Sequence, residues 1–112
     1  MEHIPKSNAE VFTSDAVTSW EYDTTSGMNM ALIRIDGRYP QEGYTRNLEV
    51  DSLVQVVKGS GKLQTPTGED IILSEGDQLH LAKNDAYCFE GALELVYAAT
   101  PKWTSEQTEQ TH

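Results

Sequence analysis

The chain has 112 residues, enough for one domain with one core, in which roughly two thirds of the unfolded surface is hidden on folding. Eighteen acidic against eight basic residues give a net charge of -10, which repels phosphate backbones and anionic lipid and so argues against nucleic acid or a membrane surface as partner. The lone cysteine, Cys88, allows no disulfide within the chain and no CxxC metal or redox motif.

The opening "MEHIPKSNAEVF" carries acidic and polar residues where a signal peptide needs a basic start and an apolar run, and the sequence reads as cytoplasmic. Residues 1 to 25 are expected to form an extension and a first strand. Turn residues then recur at short intervals: "TSG" at 25 to 27, "DG" at 36 to 37, "EG" at 42 to 43, "GSG" at 59 to 61, "PTGED" at 66 to 70, "SEGD" at 74 to 77 and "KND" at 83 to 85. Between them lie runs too short for helices and rich in strand formers. These are "MNMALIRI" at 28 to 35, "SLVQVV" at 52 to 57, "GKLQT" at 61 to 65, "DIIL" at 70 to 73, "DQLHLA" at 77 to 82, "AYCFE" at 86 to 90 and "LELVYAA" at 93 to 99. Alternation is clear in Leu79 and Leu81, and in Leu93, Leu95 and Tyr97.

Many short strands with no helical period between them predict an all-β antiparallel sandwich or closed barrel. "KGSGK" at 58 to 62 lacks the spacing of a phosphate-binding loop and is expected to be a tight hairpin. In the tail, 101 to 112, Thr104 followed by Gln107 has the form of a capping box that can start one short helix, and a frayed end is the alternative. Trp103 is expected to pack across the outside of the barrel and pin that tail.

The order "VVKGSGKLQ", "TGED", "SEGDQLHLAKNDAYCFEG" resembles the cupin family of small jelly-roll barrels, over roughly residues 37 to 106. The resemblance implies one double-stranded β-helix domain over 1 to 112, with its barrel core at 26 to 100. It is strengthened by "GRYP" at 37 to 40, "AYCFEG" at 86 to 91 and "TPKWTSEQ" at 100 to 107, which are similar to those of small cupins that lack the metal-binding histidines. With Gly59 as the closing glycine of the family's first motif, its glutamate position holds Ser52, and its histidine positions hold Arg46 and Leu48, or Thr45 and Asn47. In the second motif Gly76 and Asp77 match, while Ala82, Asn84 and Tyr87 stand where the family has proline, glycine and histidine.

Cupins hold a divalent ion through imidazoles and a carboxylate, and this chain has only His3, His80 and His112. No metal and no other cofactor is therefore expected, a degenerate site of His80 with Glu49 or Asp51 being the remaining possibility. The expected ligand-binding residues are Arg46, Ser52, Tyr87, Phe89, His80 and Tyr44, with Tyr39 and Trp103 as further rim aromatics. Guanidinium, hydroxyl and ring faces point to a small polar or anionic organic molecule. The alternative is a metal-independent isomerase or epimerase with His80 as base and Tyr87 as acid, and behind it a metal-dependent dioxygenase. Apolar outward strand faces predict a homodimer.

Overall fold

The structure is a computed structural model that describes residues 1 to 111. Its strands are β1 (Glu10–Ser14), β2 (Val17–Tyr22), β3 (Asn29–Tyr39), β4 (Tyr44–Asn47), β5 (Asp51–Gln64), β6 (Asp70–Leu73), β7 (Gln78–Leu81), β8 (Cys88–Thr100) and β9 (Thr108–Thr111). All pairings among the described strands are antiparallel. The main sheet runs β1-β2-β3-β8-β5-β6, with β7 added to the other half of β5, and β4 pairs with β9 as a separate ribbon. A bridge between Thr45 and Tyr87 ties that ribbon to the main sheet. The expected all-β jelly roll is the observed architecture.

Alternation decides which face closes. On β3 the side chains of Asn29, Ala31 and Ile35 are buried while Met30 and Arg34 are exposed, and on β5 Ser52, Val54 and Val56 are buried. Ile35, Val54, Val56, Leu63, Leu73, Leu93 and Leu95 form the core. Each contributes about 1.5–3 kcal/mol relative to an exposed side chain.

The expected boundaries fail at the glycines. "GSG" at 59 to 61 and "DG" at 36 to 37 are not turns; β5 and β3 run straight through them, and β8 likewise continues through Gly91. Gly37 pairs with Gly91, and Gly91 with Gly61, so three adjacent strands place glycine in one row. A Cβ on Gly91 would lie 2.6 Å from both Gly61 Cα and Ser60 O, and Gly91 has φ +139°. At Gly61 and Gly91 neighbouring backbones touch, a use of glycine distinct from turning the chain, while at Gly37 (φ +129°) only the Ala16 side chain comes near, 3.2 Å from an added Cβ. A bulge at Val56/Lys58 adds to the bend of β5. Turns do stand at 66 to 70, 74 to 77 and 83 to 85. In the last of these, Asn84 takes φ 71°, the left-handed conformation for which asparagine is the usual substitute for glycine.

Over its described residues, to Thr111, the tail forms a single 3-10 turn and a strand in place of a longer helix or a frayed end. Gln107 Oε1 accepts the Thr104 N–H at 2.9 Å, one half of the capping box, but the helix stops after a single 3-10 turn at Ser105–Gln107. One turn is too short to sustain itself. The chain instead completes the ribbon, Arg46 facing Glu109 and Asn47 facing Thr108 across the β4–β9 pair.

Candidate functional site

The inward faces of β2, β4 and β8 enclose a cavity of about 350 Å³, within the range of small-molecule sites. Its floor is apolar: Ile33, Ile35, Val54, Leu81, Phe89 and Leu95. Above the floor stand three tyrosines, Tyr39, Tyr87 and Tyr97, and one carboxyl, Glu21. Arg46 and Asn47 close the β4 side. Phe12 and Trp103 meet edge to face at the rim, ring centroids 6.2 Å apart.

Each polar group has an identifiable state. Tyr87, edge-on to Phe89 at 5.3 Å, has its phenol pushed far above the ordinary value by burial, with Tyr39 and Tyr97 adding to the effect. Burial also raises the phenols of Tyr39 and Tyr97, partly offset by hydrogen bonds with Thr45 and Ser52 respectively. All three therefore stay neutral at physiological pH, able to donate and accept but not to act as bases. Burial raises the Glu21 carboxyl too, and the nearby Glu10 adds to the rise. Glu21 Oε2 accepts a hydrogen bond from Asn29 Nδ2 at 3.1 Å.

On β4 the committed atoms leave only donors. Arg46 Nη2 donates to Glu109 Oε1 at 2.7 Å. Asn47 Oδ1 accepts the N–H groups of Glu49 and Val50 at 2.9 and 2.7 Å, capping the turn that leads into β5. Arg46 Nε and Asn47 Nδ2 are buried with no hydrogen-bond partner. Such a group costs about 1–3 kcal/mol, and neither atom has surface open to the cavity.

Of the residues expected at the site, Arg46, Tyr87 and Phe89 line the cavity together. Ser52 is buried behind it, bonded to Tyr97 and to Leu81 O at 3.4 Å. Tyr44 lies outside the lining, its ring 5.9 Å from the Arg38 guanidinium. The placement of His80 as a cavity base needs correction. Leu79 and Leu81 pack on the core, so the alternating His80 faces outward, 62% exposed, with Asp51 Oδ1 at 3.8 Å. Trp103 is corrected in the opposite sense: it reaches over the cavity mouth instead of the barrel exterior. Glu21 and Asn47 went unassigned by sequence reasoning. The readable signal for Glu21 was the period of two in "VTSWEY", where Val17, Ser19 and Glu21 share the cavity side.

A metal of the kind expected of such barrels does not fit this donor set. Among the described residues no three His, Cys, Asp or Glu side chains come together, and His112 lies outside them. Glu21 alone, among phenols and a guanidinium, is no first-row metal site. A wider hollow of about 940 Å³ lies on the outer face of the sheet, where Met28, Met30, Leu53, Val96 and Ala98 are its apolar lining and His80 with Asp51 its edge.

No protein-family model matches the sequence, and no curated protein matches it. Solved structures do. Pac13, described as a unique nucleoside dehydratase, superimposes with a TM-score of 0.87 at 13% identity, covering 100% of this chain and 92% of the other. A variant of Streptomyces Pac13 with uridine gives 0.88 at 14%, covering 100% and 91%. This chain has the cupin fold. Ectoine synthase from P. lautus, also of cupin fold, gives 0.78 at 14% identity, covering 100% and 91%. KdgF from Halomonas sp. gives 0.72 at 14%, covering 95% and 97%. At these identities the likeness is one of fold.

Proposed function

We propose that this cupin encloses a small polar organic molecule between β2, β4 and β8 and holds it without a metal. The observation that carries the reading is a cavity of about 350 Å³ whose apolar floor is met by three phenols, Glu21, Arg46 and Asn47. Neutral phenols supply orientation, and the rings of Tyr87, Phe89 and Trp103 supply apolar contact. The Pac13 variant with uridine supports a ligand of nucleoside size in a barrel of this shape. A thermal-shift screen of sugars, nucleosides, amides and organic acids on chelator-treated protein tests it. Stabilisation by one class supports the reading, since binding to the native state must raise stability, and no stabilisation by any of them removes it.

A second reading, a metal-independent lyase or isomerase, is favoured by Glu21. A carboxyl whose pKa burial raises above its ordinary value is better matched to taking a proton from carbon than an exposed one. In that chemistry Glu21 removes the proton from a carbon next to a carbonyl. A neutral phenol hydrogen-bonds the carbonyl oxygen that gains charge, and the proton held by Glu21 then passes to a departing hydroxyl, which leaves as water, or returns to carbon in an isomerisation. Pac13, a nucleoside dehydratase, supports this class for the fold. Incubation of a stabilising compound with the protein in heavy water checks it: deuterium enters a C–H position with the native chain and not with Glu21→Gln, while no exchange with either rejects it.

The homodimer expectation attaches to the outer hollow. In a chain of net charge -10 this is a face where two copies approach with little charge between them. Leu53→Lys, at an exposed position of that face, is expected to leave a monomer by light scattering; a dimer unchanged by it places the interface elsewhere.

A further inference from the structure

Resting on the first reading, the cavity as an organic-ligand site, we infer that its occupant is a small organic cation, an ammonium group on a compact frame, held by the Glu21 carboxylate among aromatic rings. Strand register brings these partners together. Glu10, Glu21, Ala31, Tyr97 and Val54 stand opposite one another in turn across β1, β2, β3, β8 and β5, and directly paired residues point to the same side of a sheet. That side is the cavity, because Glu21, Tyr97 and Val54 all line it. Only the Ala31 methyl stands between Glu21 and Tyr97 in this row. Phe12, paired with Ser19, lies on the same face and meets Trp103 at the rim.

The carboxyl is open to an occupant. Glu21 is half-buried, and while its Oε2 accepts the Asn29 amide, its Oε1 accepts no hydrogen bond among the described residues. The buried polar atoms without a partner are Arg46 Nε and Asn47 Nδ2, so Oε1 is not one of them and keeps accessible surface. Charge then decides what can meet it. Among the described residues lining the cavity Glu21 is the sole carboxyl and Arg46 the sole cation, and Arg46 is paired with Glu109 at 2.7 Å. An ionised Glu21 therefore has no counter-ion from the protein, and Glu10 beside it adds to the negative charge. A phosphate or carboxylate entering here would lose its hydration and gain no free positive charge, whereas an ammonium group supplies the missing partner. The rings of Phe12, Tyr39, Tyr87, Phe89, Tyr97 and Trp103 line the same space, and ammonium groups are attracted to aromatic faces. The carboxyl itself agrees: burial first, and Glu10 second, raise it above its ordinary value, as befits a charge without a partner. In this role Glu21 is a counter-ion in place of a base.

The test is isothermal titration of the chelator-treated full chain with molecules that share a frame and differ in charge: choline against the alcohol in which a carbon replaces its nitrogen, and benzylamine against benzyl alcohol and benzoate. The cation is expected to bind about tenfold tighter or more than its neutral counterpart, corresponding to about 1.4 kcal/mol. Choline affinity is expected to rise with pH as Glu21 ionises and then level off, while that of its neutral counterpart stays flat. The other titratable or charged groups facing this site are Glu10 on β1, Tyr39 on β3, Arg46 on β4, Tyr87, and Tyr97 on β8, the three phenols being held neutral by burial. Glu21→Gln, which keeps an oxygen for Asn29 and removes the charge, is expected to weaken choline by about tenfold, to abolish its pH dependence and to hold the neutral alcohol within about threefold. Equal or tighter binding of the neutral or anionic members, or a Glu21→Gln chain that binds choline unchanged, overturns this inference and leaves the cavity reading standing. Binding of compounds of the broader screen alone, with neither cation bound, does the same. No binding by these molecules or by any compound of the broader screen overturns the cavity reading and this inference with it.

Discussion

Glu21 and Trp103, 82 residues apart in numbering, are joined through one buried side chain. Asn29 Nδ2 donates to Glu21 Oε2 at 3.1 Å, and Asn29 Oδ1 accepts the backbone N–H of Trp103 at 3.2 Å. The carboxyl inside the cavity and the aromatic over its mouth are thus positioned by the same amide. Asn29→Ala leaves both partners unpaired and is expected to cost about 1–3 kcal/mol, read as a lower urea midpoint with unchanged slope. The same variant should be cut faster by protease near Lys102. An unchanged midpoint would show that the bridge carries no stability.

The Glu21 carboxyl sets a pH dependence whose sign follows from its environment. Burial raises it in the folded chain, so above its ordinary value the native state holds a proton that the unfolded chain has released. Stability from this group is therefore present at low pH and declines as pH rises through that window. Glu21→Gln, which still offers Asn29 an oxygen, removes the decline. The variant is expected to gain stability relative to the native chain as pH is raised from about 4 to about 9. A stability difference flat across that range contradicts the assignment.

At the glycine row the expected effect is large. Gly91→Ala places a methyl 2.6 Å from Gly61 Cα and Ser60 O at φ +139°. Overpacking and the disfavoured backbone together are expected to cost more than about 2 kcal/mol. Gly27→Ala, with nothing within 4 Å of the added Cβ, is the control and should stay within about 0.5 kcal/mol. Equal effects of the two in denaturant titration would mean that the strands do not touch as described.

His80 sits outside the barrel, and metal chemistry has no ligand set inside it among the described residues. His80→Ala is expected to keep affinity for any cavity ligand within about twofold, a change under about 0.5 kcal/mol. Chelator dialysis should leave the thermal midpoint unmoved. A drop of several degrees that is restored by one divalent ion would count against the metal-free reading.

The fold was legible because strand formers, turn residues and the alternation of Leu93, Leu95 and Tyr97 all point one way. The long strands were not. A glycine signals a positive φ, a close approach of another backbone, or both; Gly61 is of the second kind and Gly91 combines the two, which only the pairing of β5 with β8 reveals. Arg46, Tyr87 and Phe89 came from motif positions and do meet in the cavity. For His80 the alternation was visible but not which face is inward; that depends on Leu79 and Leu81 packing on the core. Glu21 escaped because β2 must be paired with β3 before its polar face is known to look inward.

The most direct measurement follows the ring proton resonances of Tyr87, Phe89, Trp103 and His80 in chelator-treated protein as the strongest stabilising compound is added. The account predicts that the Tyr87, Phe89 and Trp103 rings, which line the cavity, shift while the exposed His80 is unmoved. A compound that shifts His80 and leaves those three rings untouched contradicts it.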